Sequence, residues 1–410
     1  MLTAARLGAV ALTAAALAST AAPAIAATAS PVPTPAGLYG KGSPTYDGVF
    51  RQGLSLLALH TEGVTPADAA VSWLTGQQCA DGGFPSYNPD PSKACAAATE
   101  DTNATASAVQ ALVALGGHDT AVSKAVAWYR TVQNKDGGWS YNPGAPSDAN
   151  STGLVVSALY AARTDPSTVA EDGRTGLDGL HGFQLGCTAP KAQQGAFAYQ
   201  PDKAGKLVAN DAASAQAALA AAAGALPVPA PGPSATAGHT EANCADPKAA
   251  ASQYLAARIT AGNGGLTSTL AGAAPAPDYA STAWAALSLA DNGWGLDAAK
   301  AVNWLRDHGE SWTQGGGSGG SNTPQPAAFA LLILDARATG IDPRHFGTSD
   351  LVAQLEATGP APAATPAPSA SASASGKSSS GFNAWWLIGV GLAAGAGIGI
   401  YISYARSRRA

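Results

Sequence analysis

The sequence predicts an all-α fold: an (α/α)6 toroid of helix-pair repeats over residues 36–357, followed by a disordered stalk and one transmembrane helix. Two observations predict the toroid. A Gly-rich turn with an aromatic residue recurs along the chain, and an Ala-rich apolar stretch follows each such turn. Helices that are apolar all round must be buried, so six of them inside a ring of amphipathic helices give a closed double ring.

The Gly-rich turns are clearest in three copies, each with a glutamine before the glycines. They are Gln77-Gln78 with Gly82-Gly83-Phe84, Gln133 with Gly137-Gly138-Trp139, and Gln194 with Gly195-Ala196-Phe197. Weaker copies contain Gly264-Gly265-Leu266 and Gln314-Gly315-Gly316. Recurring turns of this kind are typical of architectures built by stacking one supersecondary unit.

Two sets of helices follow from this pattern. The predicted inner helices are residues 46–59, 101–115, 148–160, 210–222, 278–289 and 322–334. The predicted outer, amphipathic helices are residues 67–78, 120–133, 175–184, 247–258 and 296–307. Neither set buries its apolar surface alone, so the ring is expected to close as one domain.

The two ends of the chain predict export and anchoring. Residues 1–27 carry Arg6, an apolar run and small residues before the end, as a cleaved signal peptide does. Residues 358–382 are rich in Pro, Ala and Ser and predict a stalk. Residues 383–404 are long and apolar enough to span a bilayer, and the 405–410 tail contains three arginines. The prediction is a single-pass protein of the cell membrane with the toroid outside and the C-terminus in the cytoplasm.

The composition narrows the function classes. Only 12% of residues are charged, and the formal net charge is −5. A nucleic-acid partner is not expected, because phosphate binding needs clustered basic residues. The 46% share of hydrophobic residues supplies a large core and excludes a disordered chain.

The four cysteines predict two disulfides in an exported chain. Cys79 and Cys95 bracket the first Gly-rich turn, and Cys187 and Cys244 flank a Pro-rich insertion at residues 226–243. Four cysteines allow three connectivities, and this sequential pairing needs the least reach.

The Gln…Gly-Gly-Trp/Phe turns and paired helices resemble the prenyltransferase and squalene-oxidase repeat family. The resemblance covers nearly the whole middle of the chain and implies the α/α toroid. Members of that superfamily include terpene cyclases, protein prenyltransferase β subunits, thioester domains of complement-like proteins, and cobalamin carriers of the intrinsic-factor and transcobalamin type. Because one fold hosts many functions, the residues have to discriminate among them.

The sequence lacks the motifs that the catalytic members of this superfamily use. A class II terpene cyclase protonates an alkene with an Asp-x-Asp-Asp-Thr-Ala segment, and the similar stretch here is Asp101-Thr102-Asn103-Ala104-Thr105-Ala106. Asn103 and Ala104 stand where that family has acids, so the resemblance implies a lost proton donor. The six histidines are scattered, so no zinc or other metal site is predicted. The Cys-Gly-Glu-Gln string of thioester members is absent. No catalytic residue and no cofactor is predicted.

The starts of the inner helices and the turns beside them carry the predicted ligand-binding residues. They are Asp47, Glu100, Asp101, Asn103, Asp148, Asn150, Asn210, Asp211, Asp278, Asn322 and Gln325, with the aromatic residues Tyr87, Trp139, Tyr141 and Tyr199. Any one of these acids or amides could be a helix N-cap, and any one aromatic residue could be a packing wedge. Several helix starts carry two or three polar residues where a cap needs one, which favours a polar ligand.

The resulting prediction is a non-catalytic, membrane-anchored extracellular receptor or carrier for a large polar small molecule. The resemblance to cobalamin carriers implies a corrinoid as the bound ligand. Those carriers have a second, β-rich domain that closes over the ligand, and no such domain is predicted here. The prediction therefore includes a separate protein that closes over the ligand, or an importer, as a partner. Two alternatives stay open: an enzyme of the terpene cyclase or prenyltransferase type, and a cell-surface protein-interaction module.

Overall fold

A computed structural model describes residues 34–231, 243–268, 274–316 and 323–366. The predicted signal peptide, most of the stalk, the transmembrane helix, the tail and Asn322 lie outside these residues. Within the described ranges, every helix is too short or too polar to cross a bilayer.

The described residues form thirteen α-helices and four short strands. The helices are α1 (Gly48–Thr61), α2 (Asp68–Gly76), α3 (Thr102–Leu115), α4 (Asp119–Thr131), α5 (Ala149–Ala161), α6 (Gly176–His181), α7 (Asp211–Ala221), α8 (Pro247–Ala261), α9 (Tyr279–Asp291), α10 (Gly295–His308), α11 (Glu310–Thr313), α12 (Pro326–Ala338) and α13 (Leu351–Glu356). The strands are β1 (Ala170–Glu171), β2 (Arg174–Thr175), β3 (Leu266–Ser268) and β4 (Ala276–Asp278). β1 pairs with β2 and β3 with β4, both antiparallel.

The helices build a closed double ring. Helices α1, α3, α5, α7, α9 and α12 contact one another in that order, and α12 returns to contact α1. Each inner helix also packs against an outer one: α2, α4, α6, α8, α10 and α13 in the same order. The α/α toroid predicted from the sequence is therefore confirmed.

The inner helices begin close to the predicted positions, and the predicted first residue is in most cases the N-cap. Two regions differ. Helix α12 begins at Pro326, a residue suited to the first helical turn, and not near residue 322. Helix α6 spans only Gly176–His181, because its glycines lower helix propensity and Gly182 follows. The sixth outer helix, α13, was not among the predicted helices.

A hydroxyl in the first turn of four inner helices holds the preceding Gly-rich turn, and we call this bond the hydroxyl clamp. Its acceptors are Thr105, Thr152, Ser214 and Thr282, which receive the backbone N–H of Phe84 at 2.9 Å, Trp139 at 3.0 Å, Phe197 at 2.8 Å and Leu266 at 2.9 Å. All four hydroxyl-bearing residues are buried. The clamp therefore satisfies a buried donor and fixes the turn against the helix start.

A glutamine at the end of three outer helices ties the same turn to the next repeat. Gln78 Nε2 donates to Gly82 O (3.0 Å) and Ala121 O (2.8 Å), and Gln133 Nε2 donates to Gly137 O (2.7 Å) and Val169 O (3.2 Å). In the third repeat Gln184 takes this position and donates to Gly195 O and Pro247 O.

The assignment of Gln194 as the third motif glutamine is thus wrong. Gln194 instead donates to the carbonyls of Cys187 and Ala189 in its own loop. The third loop is longer than the others, so the glutamine that ends the outer helix stands further from the glycine in sequence.

Small residues bring the inner helices close together. A Cβ on Gly53 of α1 would lie 2.4 Å from Ser107 Oγ of α3, and one on Gly153 of α5 would lie 2.9 Å from the Cα of Ala217 in α7. Dense packing at these crossings means that larger side chains would push neighbouring inner helices apart.

Residues 224–231 pass from the end of α7 to two other inner helices. The N–H of Leu226 donates to Gln110 Oε1 of α3 (2.8 Å), and a Cβ on Gly340, just after α12, would meet Pro231 at 3.2 Å. Leu226 and Val228 are buried. The first part of the predicted Pro-rich insertion is therefore packed against the C-terminal ends of the inner helices.

Both predicted disulfides are confirmed. Cys79 bonds Cys95 with a Cα–Cα distance of 5.7 Å, and Cys187 bonds Cys244 with 5.1 Å. The first braces the loop of the first Gly-rich turn. The second ties the loop after α6 to the segment that precedes α8.

We call the pair of bonds donated by each of the three outer-helix glutamines the glutamine tie, and its contribution to stability can be tested. Gln133→Ala leaves the carbonyls of Gly137 and Val169 without their shared donor inside the core, so we expect a loss of about 2–3 kcal/mol of unfolding free energy. Asn303→Ala, an exposed amide on α10, is the control and should change it by less than about 0.5 kcal/mol. Denaturant unfolding measures both, and equal values would contradict the structural role of the tie.

Candidate functional site

Most predicted rim residues do lie at the N-terminal ends of the inner helices, and four of them are N-caps. Asp101 accepts from the backbone N–H of Ala104 at 2.9 Å, Asp148 from Ser151 at 2.8 Å, Asn210 from Ala213 at 2.9 Å and Asp278 from Ser281 at 3.0 Å. Each cap satisfies a donor that the helix leaves unpaired. Capping is therefore an established role of these four side chains.

Asp101 and Asp148 are also buried, each 2% exposed. Asp101 Oδ2 accepts from Ser86 Oγ at 2.7 Å, and Ser86 lies 3.1 Å from the hydroxyl of Tyr141. Burial raises the pKa of both carboxyls, and the hydrogen bonds they accept oppose the rise. These carboxylates are held inside the protein, which leaves little surface for a ligand.

Glu100 is 1% exposed and does not face the rim. Its Oε2 accepts from Trp128 Nε1 at 2.6 Å. Burial, and then the neighbouring Asp81 carboxylate, raise the pKa of Glu100 to about 7. Glu100 and Asp81 occupy the positions that Ser147 and Asp136 occupy in the next repeat. There, Ser147 Oγ donates to Asp136 Oδ1 at 2.8 Å, so a serine takes the place of Glu100.

Several of the additional polar residues bond protein groups rather than leaving a free rim. Asn150 Nδ2 donates to Gln216 Oε1 of α7 at 2.6 Å, and Asp47 pairs with Arg51 at 2.5 Å. Asn103 accepts a long bond from Thr102 at 3.3 Å. Gln325 donates to the carbonyl of Thr323 at 2.8 Å.

The predicted aromatic contacts divide into two groups. Trp139 is fully buried and donates to the carbonyl of Tyr129, so its predicted ligand contact is wrong and its role is packing. Tyr87 is half-buried and stacks on Trp73 with ring centroids 6.4 Å apart. Tyr141 and Tyr199 are exposed, and the hydroxyl of Tyr141 bonds Ser86.

One pocket brings three predicted residues together at the starts of α7 and α9, and we call it the α7/α9 pocket. Its volume is about 500 Å³. The polar side chains that line it are Gln193, Asn210, Asp211, Tyr254, Arg258, Thr267, Ser268 and Asp278. Asn210, Asp211 and Asp278 come from the predicted rim, whereas the other five are new.

A hydrogen-bonded triad forms one wall of the α7/α9 pocket. Arg258 Nε lies 3.0 Å from each carboxylate oxygen of Asp211, and Arg258 Nη2 donates to Asp211 Oδ2 at 2.7 Å. The hydroxyl of Tyr254 donates to Asp211 Oδ1 at 2.6 Å. Burial, and then the bond to Asp211, raise the pKa of Tyr254, while the bonds to Asp211 raise that of Arg258. Tyr254 therefore keeps its proton and Arg258 its positive charge at neutral pH.

Tyr254 and Arg258 are not among the predicted site residues, because both lie on the outer helix α8 and not at an inner-helix start or turn. A signal was present. Asn210 already caps α7, so the adjacent Asp211 needs another partner, and Tyr254 and Arg258 stand four residues apart on one face of the next helix.

Cys79, Cys95 and Glu100 also bring their ligand-type atoms within 4.8 Å of one another. The two sulfurs are joined in the disulfide, and only a thiolate is a good metal ligand. This cluster is therefore not a metal site in the oxidised protein.

Comparison with known proteins gives only distant structural similarity. No family model and no curated protein matches the sequence. The chain is similar to ent-copalyl diphosphate synthase from Streptomyces platensis, with 18% identity and a TM-score of 0.43 over 71% of this chain and 50% of that one. It is similar to a type II terpene cyclase from Scytonema, with 14% identity and a TM-score of 0.40 over 75% and 89%. A protein from Actinoplanes has 18% identity and a TM-score of 0.31 over 66% and 97%.

The chain thus spans half the length of the copalyl diphosphate synthase. Each similarity has a TM-score below 0.5, so no activity is transferred from these proteins.

The prediction of a non-catalytic, membrane-anchored carrier is corrected. Two of the similar structures are terpene cyclases, but TM-scores of 0.43 and 0.40 carry no argument about activity, and the predicted transmembrane helix lies outside the described residues. The physical reason lies in the rim. Among the described residues, polar side chains beyond those needed for capping, such as Glu100 and Asn150, bond Trp128 and Gln216 and are committed to these protein groups.

The buried Glu100 predicts a pH dependence of stability. Its pKa rises from 4.5 to about 7 on folding, so between these values the folded state holds a proton that the unfolded state has lost. Stability should fall as the pH rises through this window, and Glu100→Gln, which keeps an acceptor for Trp128, should flatten the fall. Denaturant unfolding across this pH range measures it. The exposed Glu310→Gln is the control, and a variant slope equal to that of the wild type would contradict the prediction.

Proposed function

We propose that the protein is an enzyme that acts on a small polar molecule in the α7/α9 pocket. This is the enzyme-like alternative with a different substrate chemistry. The observation that carries the proposal is the convergence of Asp278, Arg258 and the Asp211–Tyr254 pair on one cavity of about 500 Å³. Small-molecule sites typically enclose about 300–1,000 Å³ and place a few polar groups precisely.

Asp278 is the proposed acid–base group. Its Oδ1 takes the cap bond from Ser281, and its side chain lines the pocket. A carboxylate that also caps a helix is held in one orientation, which suits it to accept a proton from a bound hydroxyl.

Arg258 is proposed to stabilise negative charge that develops on the substrate. Its bonds to Asp211 use Nε and Nη2, and Nη1 makes no hydrogen bond with any described residue. A guanidinium already oriented needs no reorganisation when charge develops, which is the main source of electrostatic catalysis. Asp211 and Tyr254 act as positioning residues that orient it.

The proposal does not extend to isoprenoid substrates. Asp101 is committed to the α3 cap and to Ser86, and Ala104 is fully buried. Alkene protonation needs a strong acid supported by neighbouring carboxyls, and the start of α3 offers an amide and a methyl group at those positions.

Untargeted turnover tests the proposal. The full-length protein is incubated with a cell extract of polar metabolites, and mass spectrometry follows which compounds are consumed. We expect wild-type protein to consume at least one compound, and Arg258→Met or Asp278→Asn to slow this by about 10²-fold or more.

Arg174→Met, which removes an exposed arginine on β2, is the matched control and should retain full turnover. Two results would contradict the proposal: no compound consumed by the wild type, or equal consumption by the wild type and both pocket variants. Conversion of geranylgeranyl diphosphate that survives Arg258→Met would contradict the assigned substrate chemistry.

A further inference from the structure

The groups that line the α7/α9 pocket also restrict the kind of substrate, and this inference rests on the function proposed above. The first restriction is charge. Asp211 and Asp278 are negative and Arg258 is positive, so the charged groups lining the pocket leave one net negative charge. Asp211 already pairs with the guanidinium at 2.7–3.0 Å, so a free phosphate or carboxylate, which carries its full negative charge before any reaction, also meets two repelling carboxylates.

The net negative charge attracts cationic ligands, but two other features of the pocket oppose their binding. Helices α7 and α9 both begin at this pocket, and helix N-termini carry positive partial charge. An ammonium group could instead be held by the face of an aromatic ring. Tyr254, the aromatic residue of the pocket lining, is only 6% exposed, so its ring face is not available.

The hydrogen-bonding groups favour a ligand that both donates and accepts. Donors come from Arg258 and the amide of Gln193, and acceptors come from the Asp278 carboxylate. The hydroxyls of Thr267 and Ser268 do both. Among uncharged groups, an alcohol matches such a lining best, since each hydroxyl can donate to a carboxylate while it accepts from a guanidinium.

We infer that the substrate is an uncharged molecule with several hydroxyl groups, that is, a polyol or a sugar. One hydroxyl donates to Asp278, and another accepts from Arg258. The volume of about 500 Å³ accommodates a molecule of several such units. Asp278 then binds the substrate through this hydroxyl group.

Protection of Arg258 from chemical modification tests the inference without any turnover. Phenylglyoxal modifies accessible arginines, and the side chain of Arg258 is 43% exposed. Peptide mass spectrometry follows its rate of modification in the full-length protein with myo-inositol, inorganic phosphate or putrescine added separately. We expect myo-inositol to slow the modification in a saturable way, by about tenfold when its concentration is about ten times Kd.

Asp278→Asn is the diagnostic variant, and it should weaken the protection by myo-inositol at least severalfold. The variant is expected to fold, because Asn210 shows that an asparagine caps an inner helix of this ring. Asp119→Asn, an exposed acid on α4, is the control and should leave the protection unchanged.

The outcomes separate this inference from the proposed function. Protection by phosphate or putrescine but not by myo-inositol overturns the substrate class, even if turnover of some other compound is found. Absence of protection by all three probes overturns it too. Protection by myo-inositol in a protein that consumes no metabolite supports the ligand class and contradicts the enzyme.

Discussion

The toroid depends on the way each Gly-rich turn is held between two helices. The hydroxyl clamp fixes the turn to the inner helix, as Thr105 does for Phe84, and the glutamine tie fixes it to the next outer helix, as Gln78 does through Ala121. Both bonds satisfy buried backbone groups, so losing either leaves a polar atom unpaired in the core. Because the bonds recur from repeat to repeat, they orient the starts of successive inner helices toward one end of the ring.

That orientation explains why polar residues collect at one end without making a continuous site. In the repeats that open α3 and α5, the acids are buried in caps and bonds between repeats. At α7 the cap is Asn210, and the adjacent Asp211 reaches Arg258 and Tyr254 of the outer helix instead. The α7/α9 pocket lies beside this triad. The candidate site therefore depends on Asp211, the second polar residue at this helix start, and on its bonds to α8.

The sequence predicts much of this fold because its signals are local and repeated. The apolar stretches, five of which follow a Gly-rich turn, predict all six inner helices, and the cysteine spacing favours the observed pairing. The site is less predictable, because the sequence does not distinguish a polar residue at a helix start that binds a ligand from one that bonds another residue of the protein. Asn150 was counted as a ligand group, yet it bonds Gln216, which is 66 residues away in the sequence. Such a partner is known only once the ring is closed.

A ligand-bound crystal structure would show whether substrate binds where Asp278 and Arg258 line one cavity. Crystals of the full-length protein would be soaked in a mixture of uncharged polyols and sugars. The account predicts difference density in the α7/α9 pocket within hydrogen-bond distance of Arg258 Nη1 and the Asp278 carboxylate. Density beside the exposed Tyr141 and Tyr199, with the α7/α9 pocket unoccupied, would contradict it.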